Sequence, residues 1–163
     1  MKRFRPVVSI AILSALTLAA APLRAQSASQ VVVFEVRAVN ELGVTGSPNL
    51  TIDAAKSGEG ELSVQSTGNT WSVTTNQARA KVTAALDESM PDGVTLSAQL
   101  AAPVGAASAG MKHLSTTPVD MVTSINRLNQ GGLPLVYELS ANAMLAKNTK
   151  GTRAVTYTIT GGA

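Results

Sequence analysis

The sequence predicts an all-β fold, an immunoglobulin-like antiparallel sandwich of about 7–9 strands. Three observations predict it. Apolar and polar residues alternate with period two along much of the chain, as a strand with one buried face requires. Gly, Pro, Asn and Asp interrupt that alternation about every ten residues, the spacing of turns between short strands. The strand-like runs are rich in Val, Ile, Leu and Thr, residues that suit a pleated, half-buried surface.

The elements follow in order. Val32, Phe34, Val36 and Ala38 share one face of a first strand, with Glu35 and Arg37 opposite. After Gly46-Ser-Pro-Asn49, Leu50 and Ile52 mark a second, short run, and Leu62 with Val64 marks a third. Ser66-Thr-Gly-Asn69 turns the chain into Trp71, Val73 and Thr75, a hairpin-like arrangement in which Gly or Asn supplies positive φ. Ala80, Val82, Ala84 and Leu86 alternate with polar or small residues, as do Val94, Leu96, Ala98 and Leu100. Between them, Met90-Pro-Asp-Gly93 has the composition of a tight turn, so residues 79–100 are expected to form an antiparallel hairpin.

Residues 101–110 are small and read as a loop, and 111–114 as a short strand. Thr117-Pro118-Val119 suits either a helix start, with Thr as cap and Pro at the first position, or an irregular strand carrying Val119, Val122 and Ile125. Leu133, Leu135, Tyr137, Leu139 and Ala141 make a long strand. Lys147–Gly151 is a turn, and Val155, Tyr157 and Ile159 close the domain.

The first 25 residues have a different character. Lys2, Arg3 and Arg5 precede an apolar run from Val7 to Ala21, and Ala25 suits the position before a cut. That is the layout of a cleavable export signal. The run falls short of the roughly 20 residues that span a bilayer. Residues 1–25 are therefore expected to be a signal peptide and 26–163 a single domain, secreted to the periplasm, cell surface or medium of a bacterium. The leader holds four of the 13 Lys and Arg and none of the 10 Asp and Glu, which leaves nine bases against ten acids in residues 26–163. Nucleic-acid or anionic-membrane binding needs clustered surplus base, and this balance argues against both. With no cysteine in the chain, the domain gains nothing from disulfides.

Candidates for chemistry are few. His113, Ser115 and Asp120 supply the residue types of a hydrolase triad, without a G-x-S-x-G nucleophile elbow. Asp87, Glu88 and Asp92 flank a turn and offer oxygens to Ca²⁺, but not at EF-hand spacing. One His and no Cys do not assemble an ordinary zinc site. Phe34, Trp71, Tyr137 and Tyr157 all lie on apolar alternating runs, which places Trp71 and Phe34 in the core, with the tyrosine hydroxyls reaching its rim. Asn49-Leu-Thr51 matches a glycosylation acceptor, which a bacterial export signal makes a coincidence. The expectation is no enzyme: no catalytic, cofactor-binding or metal-binding residue, and no cofactor.

The segment from Gln30 to Val39 is the most informative. Val31-Val-Val-Phe-Glu-Val36 is strongly β-prone. It serves either as the first strand of its own sheet or as a strand donated to the sheet of another subunit, and both demand the same alternation.

Trp71-Ser-Val-Thr-Thr-Asn76, Lys81-Val-Thr-Ala-Ala-Leu-Asp87, Met90-Pro-Asp-Gly93 and the closing Val155-Thr-Tyr-Thr-Ile-Thr160, behind an export signal, resemble the layout of secreted bacterial β-sandwich proteins of the pilin-like or surface-coat kind. The resemblance implies a structural or surface-assembly subunit, with itself or other exported proteins as partners through the N-terminal strand. No binding residue is carried over from that family. The alternative is a small extracellular module that binds carbohydrate or protein.

Overall fold

The computed structural model describes residues 26–54, 58–144 and 149–162, and among these there is no helix. The expected signal peptide and residues 147–148 of the expected Lys147–Gly151 turn lie outside the described residues. Residues 36–163 form one compact unit. Its strands are β1 (Asn40–Thr45), β2 (Glu61–Gln65), β3 (Asn69–Thr75), β4 (Ala78–Leu86), β5 (Val94–Leu100), β6 (Ala107–Ser108), β7 (Lys112–His113), β8 (Val119–Ile125), β9 (Leu128–Asn142) and β10 (Val155–Gly162). They build two antiparallel sheets, one in the order β1-β3-β9-β5-β7 with β2 also on β9, the other β10-β4-β8-β6. The sheets pack as a β-sandwich.

The core is the set of inward positions that the alternation marks. Trp71 and Val73 of β3, Ala80 to Leu86 at every second residue of β4, Leu96, Ala98 and Leu100 of β5, and Leu133, Leu135 and Tyr137 of β9 are buried together with Met121, Val122 and Ile125 of β8. Trp71 also donates its indole Nε1–H to the Ala101 carbonyl at 3.1 Å, which satisfies its one polar atom.

β9 organises the first sheet because it is long enough, at 15 residues, to carry two strands on one edge. Its first half pairs with β3 (Trp71↔Leu133) and its second half with β2 (Val64↔Leu139). Ser66 bridges the gap. Its N–H donates to the Tyr137 carbonyl at 2.9 Å, and its hydroxyl accepts from Tyr137 N–H at 3.1 Å and from Asn69 Nδ2 at 2.8 Å. The expected turn at residues 66–69 is present, with Gly68 at φ 82°, but β2 and β3 do not pair with each other as a hairpin.

Residues 79–100 are not a hairpin either. β4 and β5 form at the expected residues with the expected inward faces, yet they lie in different sheets. Alternation reports which face of a strand is buried and not which strand lies beside it, so alternation and a Pro-Asp-Gly turn do not distinguish a hairpin from two strands opposed across the core. Between Thr117 and Ile125 the chain takes the irregular-strand alternative, β8, with register shifts against β4 and Ser124 at φ 60°. The loop expected at 101–110 contains the two-residue strand β6, and residues 50–52 form no strand.

The largest correction concerns the N-terminus. Residues 31–38 form no strand; the first strand is β1, starting at Asn40. Phe34, expected in the core, is 86% exposed.

Candidate functional site

The sequence-level triad is not assembled. His113 on β7 lies 3.0 Å, through Nδ1, from the hydroxyl of Ser97 on β5. Ser115 instead forms a local turn, its hydroxyl donating to the Thr117 carbonyl and accepting from Thr117 N–H. Asp120 is paired with Lys81 at 2.9 Å.

Ser97 is a residue that sequence reasoning missed. Strand order brings it into a row across the outer face of the first sheet: Gln65 opposite Glu138, Glu138 opposite Ser97, and Ser97 opposite His113. Gln65 Nε2 donates to Glu138 Oε2 at 2.6 Å. This row contains an acid, a hydroxyl and an imidazole, but in an order that does not suit acyl transfer. In a nucleophilic triad the acid orients the imidazole, and the imidazole takes the hydroxyl proton. Here the hydroxyl lies between the other two, and Ser97 is only 2% exposed. The row's evident work is to fasten β7 to β5 and β2 to β9.

A shallow pocket of about 370 Å³ opens beyond this row, lined by Glu61, Thr95, Ser140, Asn142, Met144 and two glycines, Gly60 and Gly93. It holds hydrogen-bonding groups and no aromatic ring. Of the acids near the Pro-Asp-Gly turn, Asp87 is used structurally: its Oδ1 accepts from Glu88 N–H at 2.9 Å and from Ala154 N–H at 3.0 Å, tying the end of β4 to the start of β10. Among the described residues no group of three or more His, Cys, Asp or Glu is placed to hold a metal ion.

The tyrosines meet where β9 faces β10. Tyr157 Oη donates to Tyr137 Oη at 3.0 Å, which joins the half-buried Tyr157 to the buried Tyr137. Burial pushes both phenols above their ordinary value, and for Tyr157 the neighbouring Tyr137 adds to the rise.

The remaining feature is the segment before β1. Val31, Val32, Val33, Phe34 and Val36 are each between 73% and 91% exposed. At its root, Asn76 after β3 holds the backbone of residues 37–39: Nδ2 donates to the Arg37 carbonyl at 2.7 Å, Oδ1 accepts from Val39 N–H at 2.8 Å, and Asn76 N–H donates to the Val39 carbonyl at 3.2 Å. These bonds extend the β1–β3 ladder past Asn40↔Thr75.

Comparison with protein-family models, with curated proteins and with solved structures finds no match for this chain.

Proposed function

We propose that this chain is a non-enzymatic exported subunit of a structural or surface assembly, held to its neighbours through the segment Val31–Val36. The observation that carries this reading is the exposure of five large apolar side chains within six residues. Each is worth about 1.5–3 kcal/mol when buried, and contiguous apolar surface of this kind marks an interaction site. The β-prone composition favours a strand as the bound form. Light scattering and electron microscopy of the exported protein test it: chains or ladders are expected, and a monomer at every concentration would overturn it.

The polar pocket around Glu61, Thr95, Ser140 and Asn142 supports a second reading, a small binding module. Sugar recognition usually rests on an exposed aromatic platform, and Trp71 and Tyr137 are buried. Retention on a polysaccharide panel, lost on Asn142→Ala, would favour this reading over assembly.

A further inference from the structure

We infer that the outer edge of β10 is the acceptor for residues 31–36 of a second copy of this chain, an inference that rests on the assembly reading above. The edges of the two sheets differ in how they are protected. β6 and β7 have two residues each, β2 has five with Glu61 at its start, and β1, the other edge of the first sheet, has six with Glu41 among them. Short strands and charge are the usual protections of an edge. β10, by contrast, runs Val155-Thr-Tyr-Thr-Ile-Thr-Gly-Gly162, eight residues without a charge or a proline, and pairs only with β4 among the described residues.

Its geometry is also incomplete on the inner side. Val155, Tyr157 and Ile159 pack against the core but are only half-buried, whereas Val82, Ala84 and Leu86, their partners on β4, are buried. The ladder gives the backbone directions. Asp87 N–H donates to the Ala154 carbonyl at 3.0 Å and Leu86 N–H donates away from β10, to the Ser115 carbonyl. Residues in an antiparallel pair alternate between bonding to the partner and pointing away from it. Val155, Tyr157 and Ile159 therefore present their N–H and C=O groups outward, at the same positions whose side chains need more cover.

An antiparallel strand with Val32 opposite Ile159, Phe34 opposite Tyr157 and Val36 opposite Val155 meets both needs. Its apolar face continues the inner face of β10, an aromatic pair forms across the strands, and Val33 and Glu35 fall beside the exposed Thr158 and Thr156.

The geometry at Asn40 favours another copy as the source of the segment. The start of β1 lies at the end of β10, where a Cβ on Gly161 would stand 3.3 Å from Asn40 Nδ2. A chain's own segment arriving at Asn40 could only run parallel to its own β10. It would also have to reverse before Arg37, because the Asn76 bonds hold residues 37–39 in line with β1. A second copy has neither restriction.

The absence of cysteine makes the test clean. Full-length Val33→Cys protein is mixed with full-length Thr158→Cys protein and oxidised. These positions face each other in a non-hydrogen-bonded pair of the new ladder, with Cα atoms about 4.5 Å apart, within disulfide reach. A mixed, reducible dimer is expected, together with its loss when Phe34→Asp is added to the Val33→Cys chain and when Thr158→Cys is replaced by Val44→Cys on β1 or Ser63→Cys on β2. Cross-linking on β1 or β2 instead, or none while the unaltered protein still forms chains, would overturn the β10 edge and leave assembly standing. An intrachain disulfide in the double variant Val33→Cys/Thr158→Cys, without chains, would overturn the second copy as occupant. An unaltered protein that stays monomeric would overturn both readings.

Discussion

At the scale of single residues, Trp71 shows how one position combines area and a polar contact. It is 1% exposed, and its Nε1–H reaches the Ala101 carbonyl. Trp71→Ala should destabilise the domain by about 3–5 kcal/mol, as large-to-small changes in cores do, measured by urea unfolding; a loss below ~1 kcal/mol would remove it from the core. The tyrosine pair gives a pH dependence with a definite sign. Both phenols are raised in the folded state, so folding favours their neutral forms. That contribution is present in full below the ordinary tyrosine value of about 10 and is lost as pH rises above it toward the folded-state values. Stability should therefore fall as pH rises above about 10, where an unfolded tyrosine ionises, and Tyr157→Phe should flatten the fall. An equal slope in the variant would show that the pair does not control it.

At the scale of elements, the junction on β9 is the most exposed to a single change. Ser66 keeps the ladder continuous where β2 gives way to β3, and its hydroxyl accepts the buried Tyr137 N–H and the Asn69 amide. Ser66→Ala leaves both donors without that acceptor, and an unsatisfied buried donor costs about 1–3 kcal/mol. Hydrogen exchange should show it first as lost protection at Tyr137 and along β2; unchanged protection there would place the junction's strength in the backbone bonds alone. The elements themselves were legible in sequence wherever turn residues bounded a clear alternation, as at β3, β4, β5 and β10. What joins them was not. β4 and β5 carry the same inward pattern whether paired or opposed across the core. The row Gln65–Glu138–Ser97–His113 depends on strand order that no local pattern encodes, and Ser97 is simply an outward position in an alternating run. The run before Asn40 has the composition of a core strand, so composition alone could not distinguish a strand already placed from one without a partner.

At the scale of the whole molecule, the sandwich has its first strand without residues 26–35. β1 pairs with β3 from Asn40↔Thr75 to Thr45↔Thr70, and Asn76 secures the backbone from Arg37 onward. The core gathers from β3, β4, β5, β8 and β9, with half-buried support from Leu42 of β1 and from β10. Phe34 and its valine neighbours are exposed and take no part in that core. Removing residues 26–35 should therefore change unfolding stability by less than about 0.5 kcal/mol, the usual range for surface changes away from special features. On the assembly reading proposed above, it should also abolish association, because the exposed apolar segment is gone. The two readouts separate the roles of the segment. Chemical denaturation at low concentration reports on the isolated domain, and light scattering at high concentration reports on association. A truncated protein that unfolds or aggregates would mean that the segment completes its own sandwich, in conflict with its exposure. One that stays folded and still assembles would move the contact to another surface. A stable, strictly monomeric truncated domain is the result expected if the sandwich is closed without residues 26–35 and, as proposed, associates through them.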